Sequence, residues 1–175
     1  MSSQLERACS VFSSRLETLA ALLDKASREW RSRGHDPESL LSARLAEDMH
    51  PLSFQIVFTA EQPRQLAAFC ANREAGAFVD PNGLSLQGAH ALLREVRSTV
   101  LGIDGTSDAL SGQRTLSLQG GITLQLAGSD YLDEFLMPNF YFHFVTAYDI
   151  LRHIGVPLGK ADYMAHLAAR IRPPA

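Results

Sequence analysis

Apolar residues fall at helical spacing in several long stretches of the chain and at alternate positions in one short one. Leu5, Ala8, Phe12, Leu16, Leu19, Leu22, Leu23 and Ala26 share one face of a helix expected from Ser2 to about Arg33, with Glu6, Arg15, Glu17 and Asp24 on the other side. Gly34 ends it, and Asp36 can cap a short helix from Pro37 to Leu45. A second long helix is expected from about Asp48 to about Asn72. Its middle, Leu52 to Phe58, is apolar nearly all round and therefore contacted on several sides. Pro63 predicts a kink or break near Glu61 and Gln62. A third helix carries Leu86, Ala89, Leu92, Leu93, Val96 and Val100 and ends between Gly102 and Gly105.

From Thr115 to Ala127 the period changes to two, around Gly120-Gly121, which is the pattern of a β-hairpin. A two-residue turn would throw the two sets of leucines onto opposite faces. A three-residue loop of Gln119, Gly120 and Gly121 instead pairs Leu118 with Ile122 and Leu116 with Leu124, so that loop is predicted, with Gly121 left-handed. Ser129 or Asp130 is expected to cap a fourth long helix, bent at Pro138 and stopped by Gly155 and Pro157. A short helix from about Lys160 to Arg170 closes the chain. The whole is read as one all-α domain over residues 1–175, a four-helix bundle with the hairpin between its third and fourth helices.

Composition narrows the function classes. A net charge of −3 over 175 residues offers no basic field for DNA or RNA. No run approaches the roughly 20 apolar residues of a membrane span, and charged residues interrupt the N-terminus, so a soluble cytoplasmic protein is expected. Cys9 and Cys70 lack metal or redox spacing and read as buried thiols.

The candidate chemistry sits in the fourth helix, where Pro138-Asn139-Phe140-Tyr141-Phe142-His143-Phe144 sets a carboxamide and an imidazole among aromatics. At about 100 degrees per residue, Asn139, His143 and Thr146 form one stripe, and Asp48, Leu52, Gln55 and Thr59 form another on the second helix. Two such stripes on apolar helices should face each other. A carboxylate from Asp48 would then raise the basicity of His143 and fix its tautomer for acid/base work. The competing reading is that Asn139 and His143 satisfy carbonyls freed at Pro138 while Asp48 caps its helix. Phe58 and Tyr148 would suit a flat or hydrophobic ligand beside Gln55, Asn139 and Thr146. Tyr141, Tyr148 and Arg152 form a second seam, suited to a subunit contact. None of the six histidines falls at the spacing that clips zinc from one helix, so no metal ligand is assigned, and neither is a cofactor.

Ala43-Arg44-Leu45-Ala46-Glu47-Asp48-Met49-His50-Pro51-Leu52, Tyr131-Leu132 and the run from Pro138 to Lys160 resemble a bacterial and fungal family of unknown function within the DinB/YfiT-like helical-bundle superfamily. The resemblance implies an up-down-down-up four-helix bundle, usually a homodimer. Superfamily relatives hold a divalent metal through three histidines and include thiol-dependent transferases and isomerases. At the matching positions this chain has Asp48, His143 and Ala147, a set that disfavours a metal. Three functions stay open on sequence: a metal-independent small-molecule site with His143 and Asp48 as its acid/base pair, a metal-dependent thiol transferase or isomerase, and a non-catalytic dimeric binding protein.

Overall fold

A computed structural model of the chain describes residues 3–104, 109–117 and 119–172. Helix α1 (Gln4–Ser32) starts at a reciprocal cap: the Glu6 amide donates to Ser3 Oγ at 3.1 Å, and the Ser3 amide donates to Glu6 Oε2 at 2.7 Å. The expected start at Ser2 lies outside the described residues. At the other end Gly34 takes φ +80°, so its amide reaches the Arg31 carbonyl and that of His35 reaches Trp30. This Schellman closure needs a left-handed residue, which glycine supplies without a Cβ clash.

Helix α2 (Leu52–Cys70) begins at Leu52, four residues later than the sequence pattern suggests. Pro51 is the reason, because its ring disfavours helical backbone at His50. Residues 43–50 are instead drawn into turns, with the Leu52 amide donating to the Ala43 carbonyl at 2.8 Å and that of Met49 to Ala46 at 3.1 Å. Pro63 does not break the helix, which runs through it to Cys70. The lost hydrogen bond and ring crowding cost about 3 kcal/mol. Burial of Pro63 and packing of α2 on helices either side offset that cost. The short 3-10 turn Pro37–Ser42 precedes this region, stopping short of the expected Leu45.

Helix α3 (Leu86–Leu101) is capped by Ser85, whose Oγ accepts the Gly88 amide at 3.0 Å, and ends at Gly102; Gly105 lies outside the described residues. Strands β1 (Gln113–Ser117) and β2 (Thr123–Ala127) pair antiparallel with Leu116 opposite Leu124. Leu118, expected opposite Ile122, lies outside the described residues. The connecting turn Gln119–Gly121 has two left-handed residues, Gly120 at φ +76° and Gly121 at +77°, where the sequence pattern required only Gly121. Leu116, Leu124 and Leu126 face inward half-buried, whereas Ile122 at the tip is 63% exposed.

A helical turn at Gly128–Asp130 and a π-helical stretch at Tyr131–Leu136 lead into helix α4 (Met137–His153). Neither Ser129 nor Asp130 caps it, since the turn starts one residue earlier. The distortion expected at Pro138 is taken up before it. Pro138 has no N–H for the carbonyl four residues back, and widening the preceding turn relieves the crowding. Gly155 closes α4 as Gly34 closes α1, with φ +88° and the Val156 amide on the Leu151 carbonyl. A short helix α5 (Lys160–Tyr163) and a 3-10 turn Ala165–Arg170 follow, tied to α1 by the Lys25–Asp162 ion pair at 2.8 Å.

Helix α2 packs between α3 and α4, and α1 lies across α3. The core is aromatic where α1 meets α4: Phe12 and Phe140, both wholly buried, meet edge to face at 4.8 Å. That contact fixes the phase of α4. With Phe140 and Phe144 turned inward, His143 must emerge beside α2.

Candidate functional site

His143 does lie against α2, but its partner is Gln55 and not Asp48. The His143 ring nitrogen Nδ1 is 2.9 Å from Gln55 Oε1. The Gln55 amide nitrogen donates to the His50 carbonyl at 3.0 Å, which turns the carboxamide oxygen toward the histidine. Nδ1 therefore carries the proton and donates it. Nε2 is left with its lone pair as the acceptor nitrogen of the ring.

Asp48 sits in the turn before Pro51 and is exposed; among the described residues no hydrogen bond or ion pair joins it to His143. The proposed acid/base pair is thereby broken, and for a local reason. A helix that starts at Leu52 cannot carry Asp48 on the stripe of Gln55 and Thr59. Burial, and secondarily the neighbouring His50 imidazole, lower the pKa of His143 to about 4, opposite to the expected rise.

The other polar residues of the two stripes are taken up by main chain. Asn139 donates to the Phe135 carbonyl at 2.7 Å, Thr146 to that of Phe142 at 2.7 Å and Thr59 to that of Gln55 at 2.6 Å. Asn139 thus answers a carbonyl in the distorted turn before Pro138, as the structural reading has it, while His143 does not. Gln55 and Thr146 are buried, so the polar pocket expected inside the bundle is replaced by packed, satisfied groups. Tyr148 is on the far side of α4, edge-on to Tyr163 at 5.6 Å, and Phe144 stacks on the same Tyr163 at 5.1 Å. Arg152 reaches the Leu158 carbonyl. The seam read as a subunit contact is therefore met by the chain's own C-terminal segment.

What surrounds His143 is an aromatic shelf. Phe58 stacks on its ring at 4.9 Å and 22°, and Phe142 meets it edge-on at 5.1 Å. Phe78, from the α2–α3 connection, leans on Phe58 at 5.2 Å. His50 lies flat on Phe54, centroids 4.4 Å apart with 2° between planes. Phe142 is 60% and Phe78 47% exposed, so the shelf opens to solvent. Of this shelf the sequence reading singles out Phe58; Phe142, Phe78 and His50 are not among its candidates, although the four-residue steps His50, Phe54, Phe58 are in the sequence.

Residues 6–164 match the domain of unknown function DUF1993. The chain belongs to the DUF1993 family. A crystal structure of a DinB family member protein from Shewanella denitrificans is 27% identical to this chain over 93% of it and 96% of its own length, with a TM-score of 0.78. No curated protein matches the chain. This DUF1993 protein is thus a DinB-like helical bundle with a hairpin between its third and fourth long helices. The metal that the superfamily resemblance implies does not fit its residues. Among the described residues no three His, Cys, Asp or Glu side chains come together at metal-holding separation, and Ala147 is buried one turn beyond His143. Nδ1 of His143 is already engaged. The described helices include none long and apolar enough to cross a membrane.

Proposed function

We propose that the shelf around His143 binds a flat, mostly apolar small molecule carrying one hydrogen-bond donor. Phe54, Phe58, Phe78 and Phe142 supply ring faces and edges, and Nε2 of His143 accepts the single polar contact. The observation that carries this reading is the Gln55–His143 hydrogen bond, which leaves a neutral imidazole with its acceptor nitrogen free of the protein's own proton.

Binding is favoured over acid/base turnover by the same geometry. A group with pKa about 4 is neutral at pH 7 and accepts hydrogen bonds, but it is a weak proton acceptor in a transition state, where a value near the working pH is most effective. An amide partner does nothing to raise it.

Titration with phenol and, separately, toluene tests the proposal, read by the NMR shifts of the His143 ring and the phenylalanine side chains. Phenol should give saturable shifts at His143 and bind more tightly than toluene. His143→Phe, which keeps a ring but removes the acceptor, should weaken phenol about fivefold, the worth of one neutral hydrogen bond. Equal binding of the two probes, or no loss in the variant, would refute the role given to Nε2.

A further inference from the structure

The largest cavity described, about 590 Å³, is far from His143, at the root of the hairpin between β1 and the end of α2. Phe69 is its aromatic lining residue, and Arg73, Arg114, Gln113 and the carboxylate of Glu74 stand among its walls, two cations to one anion. That volume is within the usual range for a small-molecule site.

The hairpin root is built to a close tolerance. The Gly128 amide donates to the Gly112 carbonyl at 2.8 Å, and a Cβ on Gly128 would meet the Leu110 carbonyl oxygen at 2.3 Å and the Phe69 ring at 2.8 Å. The strands are therefore seated directly on Phe69. Alternation along β1 then puts Arg114 on the inward face with Leu116, at a position where β2 places Leu126 directly opposite. An arginine turned inward is expensive unless its charge is met.

Within the protein it is poorly met. The Arg114 side chain is 28% exposed, and its Nε is buried with no hydrogen-bond partner among the described residues. Its carboxylate neighbour, Glu74, is 4.0 Å away and 90% exposed, so water screens that pair. Glu61 is held by Arg64 at 2.9 Å. Tyr131 accepts a side-chain hydrogen bond from Arg114 but brings no charge: burial pushes its phenol up to about 12, although Arg114 acts the other way, and its hydroxyl donates to Gln65 at 2.7 Å.

A second guanidinium stands in the wall. Asn72 takes the left-handed conformation at φ +47°, so its amide reaches the Phe69 carbonyl and that of Arg73 reaches Ala68. This closure fixes where Arg73 leaves α2. It also occupies carbonyls that would otherwise present the negative end of the helix to the cavity. Arg73 has no ion pair among the described residues.

We infer that this cavity is a binding site for a small oxyanion, a carboxylate or phosphoryl group, held by Arg114 and Arg73 with any attached ring over Phe69. Such a ligand supplies a closer, better shielded counter-charge than the exposed Glu74 carboxylate at 4.0 Å, through the paired donors that guanidinium groups offer planar oxyanions. The purely structural alternative is an inward charge that discourages edge pairing of the hairpin.

The test uses the full chain and reads the Arg114 and Arg73 Nε–H signals by NMR while inorganic phosphate or benzoate is added at constant ionic strength, with chloride as reference. Saturable shifts with either oxyanion are expected. Response to benzoate alone assigns a carboxylate with a ring, and response to phosphate alone a phosphoryl group. Arg73→Gln, at an exposed position, should weaken binding about tenfold, the loss of one charged hydrogen bond. Arg114→Lys, which keeps the charge but loses the fork, should weaken it at an unchanged melting temperature. Shifts no different from chloride, or an affinity that Arg73→Gln leaves unaltered, would overturn the inference and leave Arg114 its structural role.

Discussion

Lowering the pH should cost this protein stability through His143 in particular. The folded state holds the ring neutral, with a pKa near 4 against an ordinary 6.5, mainly because it is partly buried and secondarily because of His50. Between those values the unfolded chain binds a proton that the folded chain refuses. The contribution is therefore fully present above the unfolded value and is lost as pH falls toward the folded one. Linkage gives about 2 kcal/mol between pH 8 and pH 5 for a fully shielded ring, and solvent screening at a half-buried site reduces this to about 1 kcal/mol. Urea unfolding at the two pH values, for the wild type and His143→Phe, isolates the effect, because every other titrating group is common to both. The wild type should lose about 1 kcal/mol more than the variant. A variant that loses as much as the wild type, or a wild-type His143 that titrates by NMR near its ordinary value, would refute the desolvated, amide-paired ring.

Asp48→Asn should leave the His143 titration unmoved and stability within about 0.5 kcal/mol of wild type, as for an exposed turn residue; a displaced titration curve would restore an acidic partner to the site. Gly128→Ala should destabilise by about 2–4 kcal/mol in thermal or urea melts, because the added methyl meets a main-chain oxygen that cannot rotate away. An unchanged midpoint would show that the hairpin root is looser than its geometry indicates.

The bundle was legible where local rules act alone. Gly34 and Gly155 end their helices in the conformation their chemistry favours, and the leucines of the hairpin select the register that places Leu116 opposite Leu124. Errors arose where a neighbour decides the outcome. Pro63 is a breaker on paper, and helices packed on both sides override it. Pro51 disfavours helical backbone at the residue before it, a tertiary-independent effect that the apolar period does not register, and this moves Asp48 off the stripe. The site divides the same way. Helical spacing brought Gln55 and His143 to the same interface. It could not show that Thr59, Thr146 and Asn139 would spend their hydrogen bonds on carbonyls four residues back, because a stripe facing a partner and a stripe bonding its own helix have the same period.

Replacing an acidic partner by an amide changes more than one contact. A carboxylate against Nδ1 would orient the ring and also stabilise its charged form, giving a base able to work near neutrality. Gln55 orients the ring equally well and adds no charge, so nothing opposes the desolvation imposed by Phe58 and the surrounding apolar wall. The imidazole is thereby fixed in one tautomer and kept uncharged, which makes Nε2 a directional acceptor set beside ring faces. Phe142 and Phe78 remain in water next to it although the core a few ångströms away is fully closed around Phe140 and Phe144. Exposed rings grouped around this hydrogen bond are the apolar area that the proposed ligand would cover.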